Sequence, residues 1–166
     1  MLETPEELRE LQALLDRSHG RGGAHLVSIV TDERRLTAQQ VVNYLQGVKH
    51  VAFATVNSQG EPLAAPLDGW FIHGQWVVGT DANAVRARHI RRNPSVSLVH
   101  VVGDDIGIWA HGRARVLARE DVLAEDYDRL ATAAYGSSPY GLGEIAVIAV
   151  EARVMFAYAP DPSKYS

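Results

Sequence analysis

The sequence predicts a mainly β domain with flanking helices (α+β), whose antiparallel strands close into a small barrel. Three observations carry this prediction. Between residues 51 and 116, apolar and β-branched runs are separated by the short turns SQGE, HGQ and GDD, the signature of hairpins. Helical segments come before, between and after the hairpins rather than alternating with single strands, so parallel βαβ units are not the pattern. Six or so antiparallel strands of this length remove their unpaired edges by closing on one another.

The elements follow in order. Thr4 to Ser18 is expected to be a helix: Thr4 can cap it, Pro5 suits its first position, and Glu7 can complete a capping box. Leu8, Leu11, Leu14 and Leu15 form its apolar stripe. HGRGG (19–23) ends it as a flexible joint, Ala24 to Val30 is expected to be extended, and 24–36 is the one candidate linker. Thr37 opens a second helix to about Gln46, with Val41, Val42 and Leu45 buried and Gly47 as the stop. The strands VAFATVN, PLAAPLDGWFI and WVVGT follow, with a bulge or bend expected at DGW (68–70). A short helix spans about 83–92 and ends at Asn93-Pro94, because the residue before proline is pushed out of helical space. SVSLVHVV and IGIWAHGRARVLA form a hairpin, Glu120 to about Ala134 a third long helix, SSPYG a loop, and EIAVIAVEARVMFAY a last strand with a bend. The tail APDPSKYS is expected to be a polar arm.

A chain of 166 residues with 46% hydrophobic content suits one sizeable core. Its net charge of -4 argues against nucleic acid as the main partner. The absence of cysteine excludes disulfides, thiolate metal sites and cysteine nucleophiles. No run of eighteen apolar residues predicts a membrane span, and the acidic, amphipathic N-terminus is unlike a signal peptide. The chain is read as cytoplasmic.

Against the acidic background, GTDANAVRARHIRRNP (79–94) concentrates Arg86, Arg88, Arg91 and Arg92 within seven residues. A strand end bearing the Thr80 hydroxyl, followed by a helix start and arginines, suits a phosphate. A solvated basic helix face is the competing reading. In the strand from Ile106, residues Ile108, Ala110, Gly112, Ala114 and Val116 share one face, and Trp109, His111, Arg113 and Arg115 the other. The second set suits a planar anionic ligand, a subunit interface, or a polar outer face with Trp109 packed at its edge. The seven histidines show no HxH, HxxH or HExxH spacing, so no metal site is predicted. GxSxG and GxGxxG are both absent.

These motifs, in this order, resemble the pyridoxamine 5'-phosphate oxidase-like proteins. VAFATVNSQGEPLAAP (51–66) is similar to the family's opening hairpin, WVVGT (76–80) to its third strand, RARHIRRNPSVSL (86–98) to its arginine-and-proline block, and HGRARVL (111–117) to a later strand. The resemblance covers about residues 36–158. It implies a six-stranded, Greek-key split β-barrel of the FMN-binding type, preceded by an N-terminal helical extension (1–35) and followed by a tail (159–166). It also implies a homodimer with cofactor sites at the interface, and a flavin-dependent oxidoreductase acting on a small molecule, with FMN as cofactor or the deazaflavin F420 as the alternative. A non-catalytic flavin-binding or sensor dimer, and a dimer with a decayed pocket, are the other outcomes. By resemblance, Thr80 falls on the hydroxyl position at the cofactor phosphate, with Gly79 beside it among the cofactor-binding residues, and Arg86 on the basic position of the clamp, with Arg88 and His89 near the same anion. Pro66, Leu67 and Asp68 fall where backbone lines the flavin ring, and Trp109 and His111 on a strand that can reach the partner's cofactor. Ala84 and Val85 replace a Ser-Arg pair, and His89 an Asn, which argues against pyridoxamine phosphate itself as substrate.

Overall fold

Residues 2–166 are described by a computed structural model, and Met1 of the N-terminal segment lies outside them. Six strands form a closed antiparallel barrel in the order β1-β2-β3-β6-β5-β4. They are β1 Lys49–Val56, β2 Pro62–Ile72, β3 Gln75–Asp81, β4 Ser95–Val102, β5 Ile106–Val116 and β6 Ile145–Tyr158. The first three strands form a meander and the fourth returns beside the first, which is the Greek key. The helices are α1 Pro5–Gly20, α2 Ala24–Ile29, α3 Ala38–Tyr44, α4 Val85–Arg92 and α5 Val122–Tyr135.

Both expected N-caps form. Thr4 accepts from Glu7 N while Glu7 accepts from Thr4 N, and Thr37 and Gln40 repeat the arrangement at α3. The Leu11–Leu15 stripe of α1 and Val41 and Val42 of α3 join the barrel interior, where Phe53, Trp76, Leu98, Ile108, Ile148 and Met155 are buried. A second apolar layer lies outside the barrel: α5 packs Leu123, Tyr127 and Ala131 over Trp70, Ile72, Val77, Val147 and Ala149. This double cover explains why 146–150 of β6 is continuously buried instead of alternating.

The barrel is split. β2 pairs with β1 from Pro62 to Gly69 but with β3 only from Gly69 to Ile72. The end of β3, Gly79 to Asp81, therefore pairs with β6 alone. Helix α4 packs against β1 and β5, with Ala87 and Ile90 in the inner core. β6 carries the irregularity: His111 pairs with Val154 and Gly112 with Ala152, so Arg153 is the extra residue of a bulge.

Several expectations need correction. Residues 24–29 are helical, not extended, because a closed barrel leaves no edge for another strand and the backbone must bond locally. The candidate linker also contains a 3₁₀ turn at Asp32–Arg34. DGW holds no bulge: the ladder runs unbroken through Lys49↔Gly69 and Gly69↔Val78. Gly69 serves packing instead, since a Cβ there would lie 3.3 Å from the Trp76 ring. The tail is not a free arm. Its 3₁₀ turn Pro162–Tyr165 is held by Gln40, whose amide donates to Pro162 O at 2.9 Å, and by an edge contact between Tyr165 and Tyr44. SSPYG likewise contains a 3₁₀ turn, Pro139–Leu142. On β5 the alternation holds through Ala114, but Val116, at the rim, is 39% exposed.

Candidate functional site

The four arginines of the 79–94 segment do different work. Arg86 Nη1 donates to Thr80 Oγ1 at 2.9 Å, and Thr80 is buried at the end of β3. Arg88 and Arg91 turn back on the β3–α4 connection, donating to Asn83 O at 2.8 Å and Ala82 O at 3.2 Å. Arg91 and Arg92, with His89, lie in the last turn of α4, where positive charge suits the helix dipole. The cluster is thus partly a loop brace, and Arg86 is the member that joins a buried hydroxyl.

The start of α4 is equally informative. Its N-cap is Ala84, which offers no side-chain acceptor to the first-turn amides, so that end is open to an anion. His89, on the same helix, reaches β1 through Nδ1···Thr55 Oγ1 at 2.9 Å. The split thus gathers Thr80, Arg86, His89 and Thr55. A hydroxyl, a guanidinium and an uncapped helix start are the donor set a phosphate monoester requires, so these residues fit a phosphate-bearing group.

Pro66, Leu67, Asp68 and Gly79 line a separate cavity of about 390 Å³ beneath α5. Asp68 is held there by the His50 ring at 2.8 Å and by the Tyr135 hydroxyl, which donates to its other oxygen. The Tyr127 hydroxyl lies so close over Gly79 that no Cβ could be accommodated. Burial pushes the Tyr127 phenol up to about 12, with Tyr140 and the Asp68 and Asp128 carboxylates adding to it. Burial and the Asp68 carboxylate raise Tyr135 as well, so both phenols stay protonated at neutral pH.

Trp109 and His111 lie on the outer face of β5. Trp109 stacks on Phe156 with ring centroids 5.2 Å apart, and His111 Nδ1 meets Ser97 Oγ at 2.7 Å. The predicted residues therefore fall in three places: the split (Thr80, Arg86, His89), the cavity under α5 (Pro66, Leu67, Asp68, Gly79) and the outer sheet (Trp109, His111). Arg88 braces the loop beside the first.

The sequence reading missed His50 and Tyr135, the partners of Asp68. They are 18 and 67 residues from it, and no local spacing signals either. It also missed two histidine clusters. His73 bridges Glu7 Oε1 at 3.0 Å and Asp126 Oδ2 at 3.1 Å. Burial opposes its charge, but hydrogen bonds and attraction from both carboxylates raise it above the ordinary 6.5. His100 is buried; its Nδ1 donates to His50 O and its Nε2 meets the Tyr44 hydroxyl, both at 2.8 Å. Burial, reinforced by the nearby Lys49 and His50, holds it below 6.5. Among the described residues, no group of three or more His, Asp or Glu is placed to hold a metal, and no helix is long and apolar enough to cross a membrane.

Comparison with known proteins agrees with this architecture. A conserved hypothetical protein, Rv2991, from Mycobacterium tuberculosis superposes with a TM-score of 0.67 at 16% identity, over 81% of this chain and 92% of that one. The heme storage protein HutZ from Vibrio cholerae gives 0.61 at 18% identity over 72% and 92%. A structure described as an F420 reductase gives 0.55 at 17% identity over 67% and 91%. At these identities the likeness is one of fold. No match was found among curated proteins. The pyridoxamine 5'-phosphate oxidase family, however, matches residues 37–158, from the cap of α3 to the end of β6. With the barrel, its split and the Thr80–Arg86 pair all inside that span, the chain belongs to the pyridoxamine 5'-phosphate oxidase family.

Proposed function

We propose that the protein is a homodimeric oxidoreductase that binds a phosphate-bearing flavin, FMN or the deazaflavin F420, at the split of its barrel and acts on a small molecule. The observation that carries this reading is the buried Thr80 hydroxyl held by Arg86 at the uncapped start of α4. Arg86 would give a phosphate its guanidinium fork while Thr80 and the first-turn amides donate alongside. Pro66, Leu67 and Asp68 would flank the ring from the open half of β2, with Gly79 at the edge of the same cavity. The bound flavin supplies the hydride chemistry, and the protein supplies binding, orientation and exclusion of water. The structural likeness to an F420 reductase keeps the deazaflavin beside FMN. The likeness to a heme storage protein keeps a non-catalytic binding or sensor role in view.

The outer sheet supports dimerisation. Ala52 pairs with Pro66 and Val99, and Val99 in turn pairs with Trp109. Val99 and Val101 are 38% and 60% exposed. A run of small and apolar residues across several strands suits a second copy.

The test is an absorption titration of the purified protein with FMN and then F420, repeated in Arg86→Ala. Losing one charged hydrogen bond costs about 1.5–3 kcal/mol, so affinity should fall roughly tenfold to a hundredfold or more. Equal affinity in the variant removes Arg86 from the site. Retention of F420 alone makes the protein a deazaflavin binder, and retention of neither overturns the reading.

A further inference from the structure

We propose that the protein carries a second anion-binding site, on the outer face of the barrel, for a small phosphate- or carboxylate-bearing ligand. An open cavity of about 470 Å³ lies where β1 and β4 diverge beyond their short Ala52–Ala54 pairing. Its polar lining includes Arg113, Arg153, His111, Ser95 and Ser97, and no aspartate or glutamate lines it. Val56, Val96 and Val154 form an apolar wall. A cavity lined by two arginines and no carboxylate suits an anion with an apolar part, while Glu151, the ladder partner of Arg113, lies outside the lining. The site shares neither Thr80 nor Arg86; Thr55, which His89 contacts at the split, lies at its edge, and its two arginines belong to no part of the cofactor reading.

Backbone structure builds this site. Arg153 is the extra residue of the β6 bulge, and bulges re-aim side chains that a regular ladder would direct elsewhere. Here the bulge brings Arg153 to the same cavity as Arg113 of β5. The bulge in turn requires Gly112, because a Cβ there would meet Glu151 O at 2.1 Å. Arg35, Arg115 and Arg129 each hold an aspartate, whereas Arg113 and Arg153 have no ion-pair partner among the described residues. Two guanidiniums without a carboxylate partner on one cavity leave positive charge there that a bound anion would neutralise. His111 adds a ring whose Nδ1 is engaged by Ser97, which leaves Nε2 for a ligand.

The experiment is calorimetric titration of the full chain with inorganic phosphate and, separately, with citrate, at low ionic strength so that screening does not mask the effect. It is done in the parent chain and again in the Arg86→Ala background, which weakens the split and leaves Arg113 and Arg153 in place, so the two sites fail independently. Saturable binding is expected, weakened roughly tenfold or more by Arg113→Gln with Arg153→Gln and unchanged by Arg34→Gln. Preference for phosphate or citrate identifies which acid the site takes. The His111 ring signals should shift on binding in a proton NMR spectrum, a readout that also serves if the double variant fails to fold. No binding of either anion, equal binding in the double variant, equal weakening by Arg34→Gln, or an unmoved His111 signal overturns the proposal.

Discussion

At the scale of single residues, two glycines are fixed by what a methyl group would strike. At Gly79 a Cβ would lie 2.0 Å from the Tyr127 hydroxyl, and at Gly112 it would lie 2.1 Å from the Glu151 carbonyl oxygen. The obstacles differ in kind, a side-chain tip against backbone in a ladder. Gly79→Ala should cost about 1–3 kcal/mol as α5 is displaced, and Tyr127→Phe in the same chain should recover part of it. Gly112→Ala should cost more, because Glu151 O belongs to a strand that cannot withdraw without breaking the bulge. Thermal unfolding of the three variants measures both, and a Gly112→Ala chain as stable as the parent would contradict the close approach. Asp68 illustrates a different limit. Its identity is plain in the sequence, yet its role depends on His50 and Tyr135, which only the fold brings to it.

At the scale of elements, the β2–β3 hairpin and its histidine make a clasp. Ile72 pairs with Gln75 across a two-residue turn in which His73 and Gly74 have φ of 51° and 73°, the left-handed pair that a type I′ hairpin requires. From there His73 ties α1 to α5 through Glu7 and Asp126. Neutral imidazole donates one proton and these two carboxylates call for two, so the bridge favours the cation. Because the folded pKa is raised, this contribution is complete below the unfolded value of 6.5 and is lost as pH rises through the folded value. His73→Asn preserves a residue tolerant of left-handed backbone while removing the bridge. Its stability deficit should be greatest below 6.5 while Glu7 and Asp126 remain ionised, and shrink both in alkali and in strong acid. A deficit that does not change with pH would show that turn conformation, not charge, is what the histidine provides. The effect should be modest, since all three side chains keep some contact with solvent.

At the scale of the whole molecule, closure of the barrel and cover of its faces decide what remains available. α1 and α3 pack on the inner core and α5 on the outer layer, while Val99 and Val101 of β4 stay exposed. Val99→Glu together with Val101→Glu should shift the proposed dimer toward half its mass in light scattering without unfolding it, because two like charges would face their symmetry mates. An unchanged mass would mean that another face joins the copies. The order of elements along the chain, the capping box of α1 and the β-rich middle were legible, since each rests on residues within a few positions of one another, whereas the pairing of β3 with β6 and of β1 with β4 joins distant segments. The helix at 24–29 was not, because Ala24, Leu26, Val27 and Ile29 satisfy either pattern over so short a span.

Residue order alone was enough for the antiparallel barrel, the starts of α1 and α3, the family and the conjunction of Thr80 with Arg86. All of these follow from local periodicity, caps and contiguous motifs. The packed molecule was needed to show how the arginines of α4 divide between bracing a loop and holding Thr80. It was needed as well to show that Asp68 faces His50 and Tyr135, and that a bulge brings Arg153 to the cavity of Arg113. One cause is common to these cases. Side-chain partners are chosen by register and by which face of a strand or helix meets its neighbour, and neither is written in the spacing of residues along one segment.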